Sequence, residues 1–276
     1  MGKTGQSYSV AAFKDPMREG LGLSETNYSL AFSFATLISA FAMPFYGRFV
    51  DRWGARAMLP LIARVAPEPQ DGPAASPLRE LSALANRAVW LTLAVGAVGF
   101  GAVFAVYSYF SAALISATDA PAWAIPLGLS CFGIGATAGN YYAGRLAAWS
   151  HFGGTLVLLL GMVAAALLYA AVMGQWVAMI LVVMVLGLTA GLVIPLQMRL
   201  MDVAGEGQTL AAALNHAAFN AANALGPWLA GMALAAGHGF SATGIVGAGL
   251  GAAGIAVLGL AWLDARPRRG AVIPAE

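Results

Sequence analysis

Residues 47–56 read Gly-Arg-Phe-Val-Asp-Arg-Trp-Gly-Ala-Arg, and they directly follow an uncharged run from Tyr28 to Tyr46. At about 1.5 Å per residue, such a run forms a helix of roughly 28 Å, long enough to cross the hydrocarbon core of a bilayer. Three arginines and an aspartate at its end are typical of the cytoplasmic end of a membrane helix. The stretch therefore predicts a membrane protein and the orientation of one span.

The same ten residues resemble the loop signature of the major facilitator superfamily: Gly, three variable residues, Asp, Arg, one residue, Gly, then basic residues. The matching positions are Gly47, Asp51, Arg52, Gly54 and Arg56, while Ala55 stands where a basic residue is usual. The resemblance implies that these five residues form a conformational-switch loop. Basic residues also orient a span without any further role, so topology alone is the alternative for the two arginines. Topology scarcely needs Asp51.

Composition agrees with a membrane protein of several spans. Apolar residues make up 60% of the 276 residues and charged residues only 9%, against roughly 25% charged in soluble domains. The net charge of +2 is too small to indicate a nucleic-acid partner. The sequence contains no phosphate loop, metal-binding cluster or catalytic triad, so we expect neither an enzyme nor a cofactor or metal site.

Seven spans and four regions are predicted along the chain. Residues 1–57 hold one span and the signature loop, 58–87 a proline-rich linker, 88–263 a six-helix bundle, and 264–276 a tail. The six later spans are predicted at about 88–110, 123–144, 154–173, 176–198, 209–236 and 242–263. The fold class is all-α and polytopic.

The arginines predict the topology. With the N-terminus outside and the C-terminus inside, the linker arginines, Arg145, Arg199 and the arginines after Ala265 all face the cytoplasm. The short loops at 111–122 and 237–241 carry no lysine or arginine. This distribution follows the positive-inside rule.

From Ser76 to Leu263 the chain is similar to the second half of a drug or sugar efflux permease of the same superfamily. The stretches that carry the resemblance are 99–104, 195–202 and 213–226. A full member has twelve spans in two bundles of six, and by this resemblance most of the first span and all of the third to sixth are absent. The resemblance implies a truncated facilitator fold.

Polar residues on one predicted span are the candidates for a substrate path. They are Asn215, His216, Phe219, Asn220 and Asn223. Polar side chains inside a span face the bundle or a water-filled cavity. Hydrogen bonding between helices is the alternative. His216 is a candidate proton carrier, with a structural hydrogen bond as the alternative.

Three further expectations concern the ends of spans. Gln197, Arg199 and Asp202 are expected at a cytoplasmic helix end, where they would pair locally. Tyr107, Tyr109 and Trp123 are expected as aromatic anchors at the outer membrane interface. The resemblance also implies that Asp51 lies close to the backbone of 207–210.

The predicted function is secondary transport of a small molecule, with efflux and proton coupling implied by the resemblance. The alternative is a non-transporting remnant, or a half-transporter completed by a homodimer or a complementing half. The expected partners are the lipid bilayer and a small-molecule substrate, and the expected location is the bacterial inner membrane.

Overall fold

The computed structural model describes residues 82–205 and 207–265, and this part of the chain is built of helices without a strand. The all-α prediction is therefore confirmed. The helices are α1 (Ser82–Ala85), α2 (Arg87–Gly99), α3 (Gly101–Tyr107), α4 (Phe110–Ala117), α5 (Ala124–Trp149), α6 (His151–Ala171), α7 (Trp176–Thr189), α8 (Val193–Val203), α9 (Gln208–Ala235) and α10 (Ser241–Ala265). The predicted first span, the signature loop and most of the tail lie outside the described residues.

These helices form six rods that overlap the six predicted spans, and the rods of the first two spans continue beyond the predicted ends, to Ala117 and Trp149. Helices α2 to α4 run on as one rod, Arg87–Ala117, and a 3-10 segment, Ala190–Leu192, joins α7 to α8 in a second, Trp176–Val203. In the described part of the chain, those two rods, α6 and α10 are long and apolar enough to cross a membrane. Helices α5 and α9, of 26 and 28 residues, are long enough but less apolar. Their crossing stays a prediction.

Glycines in the left-handed region of φ mark two of the turns. Gly174 has φ +94° between α6 and α7, which confirms the predicted division of the long apolar run. Gly237 and Gly239, at φ +85° and +68°, close the turn between α9 and α10. A residue with a Cβ would be strained at such a φ angle, so glycine can end these helices without backbone strain.

Successive rods alternate in direction, and polar contacts show which ends lie together. Arg87 at the start of α2 is 3.5 Å from Asp264 at the end of α10. His151 at the start of α6 is 3.1 Å from Asp202 near the end of α8. We call this side of the bundle, which also holds Arg145 and Arg199, the arginine end. The positive-inside rule predicts that it is cytoplasmic.

Glycines let the backbones of α5 and α7 touch. A Cβ added to Gly139 would strike the backbone of Leu188, and one added to Gly187 would strike the Phe132 carbonyl. A Cβ at Gly191 would lie 2.6 Å from the Gly139 carbonyl oxygen. Without a hydrophobic driving force between helices in lipid, close backbone contact of this kind supplies the packing energy.

The expectation that Tyr107 and Tyr109 are interface anchors is wrong. Both side chains are buried, at 3% and 1% exposure, and the Tyr109 hydroxyl donates a hydrogen bond to the Pro227 carbonyl at 3.0 Å. The physical reason is the length of the first rod, which continues to Ala117 and so places both rings inside the bundle. Trp123 is 57% exposed at the start of α5.

Candidate functional site

The predicted conformational-switch loop lies in the part of the chain that the structure does not describe. Gly47, Asp51, Arg52, Gly54 and Arg56 all lie outside the described residues. The same holds for the contact expected between Asp51 and the start of α9. Their proposed role in conformational switching stays a prediction.

The five candidate residues of α9 differ in how deeply they are buried. Asn215 and Asn223 are buried, at 2% and 4% exposure, and Phe219 lies between them one turn from each. The Phe219 ring packs edge-on against Phe100 with 4.8 Å between ring centroids. His216 is exposed.

Asn215 and Phe219 share a face of α9 because they are four positions apart, and Asn223 follows one turn later. His216 lies seven positions before Asn223 and within about 20° of it around the helix axis, so its exposure differs from that of Asn223 with position along the helix. Asn220 is half-buried. The structure therefore buries Asn215 and Asn223 with Phe219 between them and leaves His216 exposed. Whether the five residues line a substrate path stays a prediction.

Asn215 connects α9 to α8. Its amide nitrogen donates a hydrogen bond to the side-chain oxygen of Gln197. Each residue gives the other a partner inside the bundle, which removes the cost of an unpaired amide in a low-dielectric region. The pair holds α8 and α9 in one relative rotation.

Arg199 is a buried cation near the arginine end. It is only 7% exposed, and its Nε donates a hydrogen bond to the Thr92 hydroxyl on α2 at 3.1 Å. Thr92 in turn donates to the carbonyl of Ala88 at 2.7 Å. The guanidinium also lies 3.9 Å from the ring centroid of Phe152 on α6, a cation–π contact.

Gln197, Arg199 and Asp202 contact three different helices. Their hydrogen bonds and ion pairs go to α9, to α2 and to α6. Arg199 and Asp202, three positions apart, also interact electrostatically with each other, so the expected local pairing holds for these two. Gln197 is two positions from Arg199, and side chains at that spacing do not face each other on a helix. Helix α8 also continues to Val203, so Arg199 lies inside the bundle and not in a turn.

A fourth contact completes the attachment of α8. The Asn86 side-chain amide donates to the Val203 carbonyl at 2.7 Å, which satisfies one of the free carbonyls at the end of α8. Asn86 also caps α2, because its side-chain oxygen accepts from the Ala88 amide at 2.9 Å. Helix α8 is therefore the element through which α2, α6 and α9 are connected at the arginine end.

Two of these partners were missed by sequence reasoning. Thr92 is 107 positions from Arg199, and nothing near either residue indicates the pairing. Phe152 is one of many aromatic residues in apolar sequence. The available signal was Arg199 itself, because an arginine inside an apolar run must find a partner on another helix.

A metal site is not indicated in the described part of the chain. No group of three or more His, Cys, Asp or Glu side chains lies close enough together there to hold an ion. The connected groups are amides, one hydroxyl, one guanidinium, and the imidazole and carboxylate of the His151–Asp202 pair. This chemistry suits hydrogen bonding between helices and to a polar solute.

Comparison with known proteins identifies relatives among transporters. The chain is 37% identical over 203 residues to "Inner membrane transport protein YdhP" of Escherichia coli K12, a match that covers 72% of this chain and 51% of that protein. It is 27% identical over 158 residues to "Uncharacterized MFS-type transporter YfhI" of Bacillus subtilis, covering 57% of this chain and 40% of that protein.

The matched segment is only part of each relative. The chain spans about half the length of the curated relatives it matches. A scan against protein-family models found no match. The relatives are named as transport proteins, in agreement with the prediction that the chain is not an enzyme.

Proposed function

Because this chain belongs to the major facilitator superfamily, we propose that it takes part in secondary transport of a small molecule across the bacterial inner membrane. The observation that carries the proposal is the 203-residue match, at 37% identity, to an inner membrane transport protein. The polar contacts that join α8 to α2, α6 and α9 support it, since buried polar groups in membrane helices concentrate where solutes or conformational changes are handled.

The finer part of the proposal is proton-coupled efflux of a drug or a sugar. Its support is the resemblance of 99–104, 195–202 and 213–226 to permeases of that kind. Among the described carboxylates, Asp119 lies in a loop, and Asp202 and Asp264 lie at the arginine end. His216 lies eight residues into α9, about 12 Å along the helix axis. It is the titratable group we assign as proton carrier.

A second candidate function, that of a half-transporter or of a non-transporting chain, is supported by a separate observation. The match covers 51% of the first relative, and residues 57–81 are too short and too rich in charge and proline to hold four spans. A facilitator needs two bundles that move about a central site. The chain would then transport only with a second bundle, or not at all.

Transport in liposomes separates these candidates. Purified protein is reconstituted with an imposed pH gradient, and the flux of a cationic dye and of a pentose is measured. His216→Gln is compared with His238→Gln, because His238 lies in the exposed turn between α9 and α10. Loss of gradient-driven flux in the first variant alone supports proton coupling through His216.

Two other outcomes would contradict part or all of the proposal. Equal flux in both variants assigns the proton to another group. Absence of flux from folded protein at every protein-to-lipid ratio refutes transport by this chain and supports the non-transporting alternative.

A further inference from the structure

We propose that one exposed face of α5 binds a second copy of this chain. The proposal rests on the second candidate above, in which another bundle completes the transporter. The face consists of Ser130, Gly133, Thr137, Asn140 and Tyr141, and we call it the groove face. All of these except Asn140 line an open groove of about 740 Å³, together with Ala138 and the exposed side chains of Ile134 and Tyr142.

The groove face lies opposite the part of α5 that packs in the bundle. At 3.6 residues per turn, its five positions fall within about a third of the helix circumference. Gly135, Gly139 and Ala143 point the other way, where Gly135 and Gly139 touch α7 and all three are buried. One side of α5 is therefore fixed to α7 while the other is uncovered.

The chemistry of the groove face does not suit lipid. The exposed residues of α6 include Leu156, Val157 and Leu160, and those of α10 include Ile245, Leu260 and Leu263, as expected for contact with acyl chains. The groove face instead presents two hydroxyls, an amide and a phenol. Polar side chains in a span ordinarily face protein or water and not hydrocarbon.

Asn140 is the residue that most needs a partner. Ser130 and Thr137 donate to the carbonyls of Pro126 and Gly133 on their own helix, at 2.7 and 2.9 Å, so their hydroxyls are already satisfied. The Tyr141 hydroxyl accepts from Arg145 at 2.7 Å. In the described part of the chain, the exposed Asn140 amide has no such bond.

Two glycines, one on the groove face and one beside it, have no packing role within the described chain. A Cβ built at Gly133, or at Gly144 one turn beyond Asn140, meets nothing within 4 Å. Gly249 and Gly259 on α10 are equally open, but their exposed neighbours are apolar. Among the helices that the structure describes, α5 alone combines open glycines with exposed polar groups, and small residues beside polar ones are typical of interfaces between membrane helices.

A second copy is the occupant that these features favour. Residues 57–81 are too short and too rich in charge and proline to supply the third to sixth spans, and the one span predicted at 28–46 cannot replace four, so we assign the missing bundle to another copy. The two halves of a facilitator are related by an axis along the membrane normal. A twofold axis in that direction keeps both copies in the same orientation in the membrane and brings groove face to groove face.

That arrangement satisfies the unpaired group. Two α5 helices meeting around Gly133 and Thr137 approach closely because the side chains there are small. Residues at equivalent positions then face each other, so the Asn140 amide of one copy hydrogen-bonds the Asn140 amide of the other. Each copy then provides the hydrogen-bond partner that the Asn140 amide of the other copy needs.

Cysteine cross-linking of the full chain in liposomes tests the proposal. The native Cys131 is first replaced by serine, and single cysteines are introduced by Thr137→Cys on the groove face and by Val157→Cys on the exposed side of α6. Disulfides form only where Cα atoms come within about 7 Å. We expect oxidation to convert the Thr137→Cys chain to a band of twice 28.2 kDa at least tenfold more than the Val157→Cys chain.

A second measurement needs no cysteine. Single-molecule photobleaching of the chain at high dilution in lipid counts copies per particle, and Asn140→Leu should raise the monomeric fraction at least fivefold. Single-step bleaching of the unaltered chain, or equal cross-linking at both cysteines, overturns the proposal.

The two proposals fail separately. A dimer through α5 without flux leaves this inference standing and refutes transport. Flux from particles that bleach in one step supports transport and refutes the dimer. A different partner on the groove face would appear as protected Thr137→Cys in a monomeric chain, which also overturns the proposal.

Discussion

The Nε of Arg199 donates a hydrogen bond to the Thr92 hydroxyl at 3.1 Å, joining two helices whose residues are 107 positions apart in the chain. The bond gives a buried cation a hydrogen-bond partner on another helix. We therefore expect Thr92 to contribute more to the stability of the bundle than an apolar residue at the same position would. A substitution that removes only the hydroxyl tests this contribution.

Thr92→Val should destabilise the bundle by about 1–3 kcal/mol, because it leaves a buried donor of Arg199 unsatisfied. Valine has nearly the shape of threonine, so packing is little changed. Thr92→Ser is the matched control, since it keeps the hydroxyl. Thermal unfolding in detergent measures both, and equal melting temperatures for Thr92→Val and the unaltered chain would contradict the prediction.

Gly139→Ala should destabilise the α5–α7 contact by about 1–3 kcal/mol, the usual cost of inserting atoms into a packed region. Its Cβ would strike the backbone of Leu188, which cannot rotate aside. Gly249→Ala on α10 is the control, because a Cβ there meets nothing within 4 Å. Melting of the control at an unchanged or higher temperature, with Gly139→Ala lower, is the expected result.

The topology predicts which loops a membrane-impermeant thiol reagent can reach. In a Cys131→Ser chain, Ala120→Cys should react from outside the cell and Ala265→Cys should react only after permeabilisation. Ala120 precedes α5 at the end opposite the arginines, while Ala265 ends α10 beside Asp264. The reverse labelling would invert the orientation and every loop assignment.

Transport by the chain should depend on its density in the membrane. If two copies make one transporter, the initial flux rises with about the square of the protein-to-lipid ratio at low occupancy, by mass action. A monomeric transporter gives a linear rise. Robust flux at one copy per liposome would contradict the expectation that a single chain transports less efficiently than a complete facilitator.

Helix positions could be predicted because the signals for them are local. Gly174 and Gly237 interrupt apolar runs where a left-handed φ is needed, and the helices end beside them as expected. All six later spans were predicted alike, and membrane crossing stays a prediction for α5 and α9, whose polar residues lower their apolar character.

The environment of single residues could not be predicted, because it depends on distant helices. The sequence predicts Arg199 at a cytoplasmic helix end, where arginine is usually exposed, and it is buried because Thr92 and Phe152 contact its guanidinium group. Tyr109 looked like an interface residue, and its partner is a carbonyl 118 positions away. On α9, spacing did indicate that Asn215 and Phe219 share a face.

The backbone contact between α5 and α7 has a mechanical consequence. At Gly139 and Gly191 the backbones of α5 and of the rod Trp176–Val203 nearly touch, so a slide by one turn would drive larger residues into a carbonyl. We therefore expect these two helices to move together in any rearrangement. A tilt of the rod would then also shift the opposite side of α5.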